Sequence, residues 1–371
     1  MEKKNVFVTG TTGFVGAGVA VHYLQQGHTV FALCRGGDPT RVERALASLD
    51  PTERWRNGTL HVVPGDVTMD DIGLTKTWYD RLKGAIDFIV HSAGHIKFED
   101  EDPLNMEINY LGSQRVAHMA RDLGWGRFVH ISTAYVCGSS TGWIEEKMVS
   151  SGHGVHNGYE LSKIEGEHAV SALLGDSVTI VRPSIVVGSL GAGWDGSVPV
   201  TFAGYYGYFK GFAWLKRQMK SDGGHLDLEG MRIPGDPEAE INLIPIDNLV
   251  EMIAALADDP RSGGGVFHAT HPEGPRYEPL VRHSFEAMGI TGGRIVLSNS
   301  PEASDELSPT ETLIKAAVRP FLGYVGEQRR FRTDEMGRFY DMEKVPRIGP
   351  DEVRRLLEPA LKCRFKPVDR R

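Results

Sequence analysis

TGTTGFVG, residues 9–16, stands at the end of the apolar run NVFVT and in front of an amphipathic stretch that begins at residue 14. A strand, a glycine-rich turn and a helix start, in that order, let a pyrophosphate approach the backbone and meet unpaired N–H groups at the positive end of the helix dipole. Gly10 permits the tight turn, Gly13 the close approach and Gly16 the packing of helix on strand. Three glycines alone are a weak signal. Their place at the head of a βαβ series is the condition that makes them a dinucleotide-binding signature.

The chain supplies that series. TVFAL (29–33), LHVVP (60–64), IDFIV (86–90), RFVHI (127–131) and VTIVR (178–182) follow as further strand candidates of the buried type, with helical patterns at 14–26, 40–49, 104–123 and 159–174. Continuous apolar strands alternating with helices imply an α/β fold, a doubly wound parallel sheet covered on both faces. After about residue 190 the pattern changes. SLGAGWDG (189–196) is a glycine-rich loop and TFAGYYGYFKGFAWL (201–215) is unusually aromatic. INLIPIDNLVEMIAALA (241–257) reads as a short strand entering a helix capped at Asp247, and GGGVFHAT (263–270) as another strand, both returning to the sheet. The expected division is a dinucleotide-binding domain over 1–190, rejoined by 241–270, and a smaller, mostly helical substrate-binding lobe formed by 191–240 and 271–371.

Composition narrows the function classes. In 371 residues, 40% are hydrophobic and 24% charged, the balance of an ordinary globular protein, and the net charge of -8 argues against nucleic acid as a partner. The basic clusters at 329–330 and in the tail RFKPVDRR are short and read as solvated surface. Three widely separated cysteines, Cys34, Cys137 and Cys363, form neither a disulfide framework nor a metal motif, which fits a reducing compartment. The N-terminus does not resemble a signal peptide, and no run of 18 apolar residues indicates a transmembrane segment, so a cytoplasmic location is expected. His91 and His95 are four apart, but no third metal ligand is near in sequence; a core or loop role suits them better.

An NAD-specific site places Asp or Glu at the end of the second strand, where it binds the ribose 2′-OH. Here ALCRGGD puts Arg35 at that point, and a guanidinium can pair with a 2′-phosphate, so NADP (NADPH) is favoured over the alternative of an arginine facing solvent. Arg41 either assists or faces water. Asp66, in the GDV of residues 65–67, could accept from the adenine amino group or cap a helix, and the two roles can coexist. Ser92, Ala93 and Gly94 are small enough to let a cofactor lie close to the backbone.

At the end of the fifth strand, HISTAYVCG (130–138) places the hydroxyls of Ser132 and Thr133 where ligands bind in an open α/β sheet. YELSK (159–163) follows on the next helix, and a four-residue step puts Tyr159 and Lys163 on one helix face. These features, in this order with Asn109 in INYLGS, resemble the extended short-chain dehydrogenase/reductase superfamily across roughly residues 5–190. LCRGG, GDVTMDDIGLT (65–75), VRPSIVVGS (181–189) followed by GWDG, and INLIPIDNLV (241–250) look most like fatty acyl-CoA reductases and the thioester reductase domains of carboxylic acid reductases and peptide synthetases. The resemblance fades after about residue 270.

The resemblance implies an NADPH-dependent reductase of an acyl thioester, on CoA or an acyl carrier protein, giving aldehyde or alcohol; the rival is a reductase or epimerase acting on a ketone, alcohol or nucleotide sugar. It assigns Thr133, Tyr159 and Lys163 to a catalytic triad, with Ser132 as the alternate donor. Lys163 would lower the tyrosine pKa as a nearby cation. The implied cofactor contacts are Gly10, Thr12, Gly13, Phe14, Val15 and Gly16, then Arg35, Asp66 and Val67, Ser92, Ala93, Gly94 and Asn109, Tyr159, Lys163, Pro183 and Ile185. The family often forms dimers, which leaves a homodimer open. In the aromatic stretch Phe202, Tyr205, Tyr206, Phe209 and Phe212 recur at helical steps, either as a buried face or as the wall of an acyl channel made mobile by Gly204, Gly207 and Gly211.

Overall fold

Val6 and Val8 of the first strand bury against one side of the central sheet and Phe7 against the other, as the two-residue period of a strand requires. Both sides are therefore covered. The computed structural model describes residues 2–97, 102–191, 194, 202–219, 225–298, 300–304 and 306–366, and the statements below concern these. The central sheet has seven parallel strands in the spatial order Val266–Ala269, Val178–Pro183, Phe128–Ile131, Phe88–His91, Asn5–Thr9, Thr29–Cys34, Thr59–Pro64. Helices Phe14–Gln25, Pro39–Leu49 and Ile246–Asp258 pack on one face; Lys76–Leu82, Gly112–Asp122 and Gly158–Leu174 pack on the other. The strand order reverses between Asn5–Thr9 and Phe88–His91, and that switch point is where an open α/β sheet binds its ligand.

The helix Gly158–Leu174 is anchored by a charge pair. Arg182 and Glu167, at 0% and 1% side-chain exposure, share two hydrogen bonds of 2.8 and 2.6 Å, and a third guanidinium N–H reaches the Lys147 carbonyl at 2.8 Å. Removing one partner would leave a bare charge in the interior, a loss of about 3–5 kcal/mol.

A second apolar core gathers Phe202, Tyr206, Phe212, Leu228, Phe285, Ile314 and Leu356 from the later chain. It includes a parallel pair, Leu226–Pro234 with Ile290–Val296, which the sequence did not signal because its glycines and charges break the alternation. Met336, Tyr340 and Val345 return to the core of the central sheet. No helix among the described residues is long and apolar enough to cross a membrane.

Four expectations are corrected here. Only Val266–Ala269 rejoins the main sheet; Leu243–Pro245 pairs with Ile185–Val187 in a separate two-stranded sheet. Asp247 is not the cap of its helix, which begins after Pro245; its carboxylate instead accepts from the backbone of Leu190 and Gly191 at 3.2 and 2.7 Å. The helix expected over 104–123 opens as a π-helical turn, Asn105–Leu111, before continuing as Gly112–Asp122. Arg329 is buried rather than solvated, paired with Glu327 and donating to the Gly323 carbonyl at 3.0 Å. Half of SLGAGWDG and the end of the basic tail lie outside the described residues.

Candidate active site

The glycine turn is shaped for close approach. Gly10 has φ +75°, and a Cβ there would come within 2.7 Å of the Ser92 and Ala93 backbone; one on Gly16 would come within 2.4 Å of the Gly10 carbonyl. Gly13, the residue before the helix Phe14–Gln25, lines the cavity and carries no side-chain cap, so the first helical N–H groups face a ligand space. This is the cradle a pyrophosphate needs, and the residues fit that group. Thr12 is half-buried in the turn, whereas Phe14 and Val15 reach the cavity wall.

Along the switch point, Thr9 Oγ1 accepts from the Ala93 N–H at 3.0 Å and meets His91 Nδ1 at 2.8 Å; His91 Nε2 continues to Ser113 Oγ at 3.0 Å. Burial pushes His91 down to about 3, so it is a neutral brace. Ser92 and Gly94 open onto the cavity. Asn109 does not line it. Its amide oxygen accepts from His95 N–H at 2.8 Å, and its NH₂ donates to the His95 carbonyl and to Ser162 Oγ, each at 2.9 Å. It ties the 91–95 loop to the helix of Tyr159, a brace rather than a wall.

Arg35 is exposed at the end of the second strand, and Arg41 Nη1 donates to its carbonyl at 3.3 Å, so two cations share this corner. Asp66 Oδ1 accepts from Thr68 N–H and Thr68 Oγ1 at 3.0 and 2.9 Å, which makes it a turn cap. Val67 is buried under Gly112, and its carbonyl accepts from Arg115.

Thr133, Tyr159 and Lys163 come together at one cavity wall. Thr133 lies close enough to the Tyr159 phenol to oppose its rise, and its Oγ1 accepts from the Tyr135 N–H at 3.3 Å. The Ser132 hydroxyl is buried and without a partner. Lys163 Nζ donates to the Ile131 carbonyl at 2.7 Å. Burial raises Tyr159 to about 12, with Thr133 opposing, and lowers Lys163 to about 8, with Glu167 opposing. Burial, not the Lys163 cation, is the main influence on the tyrosine here, and it favours the protonated phenol. Cys137 lies buried nearby with its thiol pushed up to about 11, an unreactive packing residue.

A cavity of about 510 Å³ runs from Gly13 past the triad, Pro183 and Ile185 to an apolar end formed by Tyr205, Tyr208, Phe209, Leu280 and Val281. The aromatic helix, Tyr205–Gln218, is in part core and in part cavity wall: Tyr206 and Phe212 are core, while Tyr205, Tyr208 and Phe209 also form wall. Its glycines serve packing. A Cβ on Gly211 would meet Ala317 Cβ at 2.9 Å, and one on Gly207 would meet Phe321 Cζ at 3.3 Å. Two of the distal hydroxyls are already paired: Tyr205 meets Ser284 at 3.0 Å, and Tyr208 meets Tyr277, itself a wall residue, at 2.5 Å. Leu280, Val281, Phe321, Tyr324 and Val325 carry no local sequence signal, and sequence reasoning missed them.

A family model described as male sterility protein matches residues 8–253, more than half of the chain. A Drosophila melanogaster protein named as a fatty acyl-CoA reductase is 28% identical over 287 residues, covering 67% of this chain and 50% of its own length. The chain thus spans half of that relative. UDP-glucose 4-epimerase of Vibrio cholerae is 27% identical over 278 residues, covering 71% of this chain and 70% of its own. Among solved structures, the terminal reductase domain of the myxalamid polyketide–nonribosomal peptide pathway superposes with a TM-score of 0.74 at 21% identity, over 99% of this chain and 92% of that one. At that identity the likeness speaks for the fold.

Proposed function

The chain belongs to the male sterility protein family, and on that premise we propose that it is an NADPH-dependent reductase of an acyl thioester, carried on CoA or a carrier protein, giving an aldehyde or alcohol. One observation carries the choice of substrate. The cavity that begins at the glycine cradle and passes Tyr159 ends in rings and aliphatic side chains, and the hydroxyls of Tyr205 and Tyr208 there are already hydrogen-bonded to Ser284 and Tyr277. Such a wall suits an acyl chain. A nucleotide sugar, the substrate class of the epimerase reading, would leave its hydroxyls without partners there.

NADPH, when bound, supplies a hydride to the acyl carbon. The Gly10–Gly16 turn would hold its pyrophosphate, Arg35 with Arg41 its 2′-phosphate, Asp66 its adenine amino group, the 92–94 backbone its length, and Pro183 and Ile185 its nicotinamide end. Lys163 has ammonium N–H groups beyond the one given to Ile131, and these would hold the ribose. Negative charge then develops on the acyl oxygen. Thr133 and the partnerless Ser132 hydroxyl are preorganised donors for it. Tyr159, protonated at neutral pH, gives up its proton to that oxygen. Loss of the thiol from the resulting hemithioacetal needs no acyl-enzyme, which agrees with a cavity lined by none of the three cysteines.

The test is NADPH consumption with product mass across acyl-CoA and carrier-bound thioesters of graded length, beside ketones and UDP-sugars. Aldehyde or alcohol from thioesters alone supports the reading. Turnover of ketones or UDP-sugars alone would overturn it.

A further inference from the structure

The first turn of the helix that carries Tyr159 is tied down on both sides of that residue. Asn157 caps it, accepting from the Glu160 N–H at 3.0 Å, and its amide donates to the Tyr324 hydroxyl at 2.8 Å. Glu160 has 0% exposure. Its carboxylate accepts from the Tyr324 hydroxyl at 2.8 Å, from the His156 N–H at 2.7 Å and from His156 Nδ1 at 3.2 Å. The other ring nitrogen, Nε2, lies 3.0 Å from Glu327, which pairs in turn with the buried Arg329. The ring of Tyr324 stands edge-on to Tyr135 at 5.0 Å, and both line the cavity.

An imidazole flanked by a carboxylate at each nitrogen can donate to both only as the cation. A buried carboxylate is stable as the anion only when it is paired and hydrogen-bonded. These two needs meet in one cluster. We propose that Tyr324 is a positioning residue for Tyr159, joining the C-terminal wall of the cavity to the first turn of the catalytic helix through Glu160 and Asn157, with the His156 imidazolium paired to Glu160. The proposal rests on the reading of Tyr159 as proton donor.

The joint is pH-dependent with a definite sign. Hydrogen bonding to Glu160 raises His156 above its ordinary value; burial opposes this, and Glu327 adds to it. Its contribution is fully present below the unfolded value of about 6.5 and is lost as pH rises through the higher folded value. The other groups facing the ring are Tyr324, kept neutral by burial and by Glu160, and Arg329, whose charge answers Glu327. On the alkaline side Glu160 is left with neutral donors, and the joint loosens.

Tyr324→Phe keeps the wall and removes both hydrogen bonds. We expect kcat to fall roughly tenfold with the KM for NADPH unchanged, the pattern of a misplaced proton donor. Glu327→Gln takes away the outer carboxylate, so His156, followed by NMR, should titrate at lower pH, and the alkaline limb of kcat should move with it. The NMR titration and the pH dependence of Tm need no substrate, and they test the joint even if no thioester is turned over. Wild-type kcat in Tyr324→Phe, or a His156 titration unmoved by Glu327→Gln, overturns the proposal. Should Tyr324→Phe fail to fold, the Glu327→Gln titration decides.

Discussion

At one end of the cavity, Gly13, Ser92, Ser132 and Thr133 come from loops at the ends of neighbouring parallel strands; at the other, Phe209, Leu280 and Phe321 come from three segments outside the central sheet. The first end is polar and rigidly referenced to the sheet, because each loop begins where a strand stops. The second is apolar and held by mutual packing within a separate core. Chemistry needs fixed donors within hydrogen-bond distance, and the sheet supplies them. Chain selection needs only volume and dryness, which a packed lobe supplies and can vary. The contrast predicts that changes at the sheet end alter rate and cofactor choice, and that changes at the lobe end alter substrate range.

The largest effect is expected at Tyr159. Tyr159→Phe keeps the ring and removes the proton, so turnover should fall by about two orders of magnitude or more while NADPH affinity stays near wild type. Near-normal turnover, measured with the best thioester of the panel, would break the assignment of chemistry to the sheet end. Next comes Arg35. A charge-assisted hydrogen bond contributes about 1.5–3 kcal/mol, so Arg35→Ala should weaken NADPH binding roughly ten- to over a hundredfold and leave NADH binding nearly unchanged. Equal weakening of both, by calorimetry, would turn the arginine into a support for the adenine or the fold. The smallest effect is at the lobe end. Leu280→Trp fills the apolar space, and every methylene thereby excluded should lower kcat/KM by about 0.8 kcal/mol, roughly fourfold, for long chains relative to short ones. An unchanged length preference with a lowered Tm would make Leu280 a core residue only.

Stability offers a separate check on how the sheet holds the catalytic helix. Glu167→Gln leaves Arg182 buried without its counter-ion, and a loss of about 3–5 kcal/mol is expected by urea unfolding. A loss below 1 kcal/mol would mean that the Lys147 carbonyl and penetrating water suffice for the guanidinium.

Local chemistry was legible in the chain. The glycine spacing of 9–16, the arginine after the second strand, the ST pair and YELSK all stand out because each pattern consists of residues adjacent in sequence or one helical turn apart. Asn109 stands out in INYLGS, but its bracing contacts do not, since its partners His95 and Ser162 lie 14 and 53 positions away. Glu160 stood inside the quoted YELSK and His156 just before it, yet nothing in the sequence joined them to Tyr324 and Glu327. Arg329 looked like surface because a basic dipeptide usually is; only its packing among Tyr135, Gly323 and Glu327 shows otherwise.

By itself, then, the sequence determined the doubly wound sheet, the cofactor cradle and the grouping of Tyr159 with Lys163, because strand periodicity, turn geometry and helix pitch are short-range properties. The tertiary structure decided how strongly burial holds the Tyr159 proton and which side chains close the far end of the cavity. Those depend on burial and on contacts between segments distant in sequence, and desolvation is a property of the folded surroundings that no local pattern encodes.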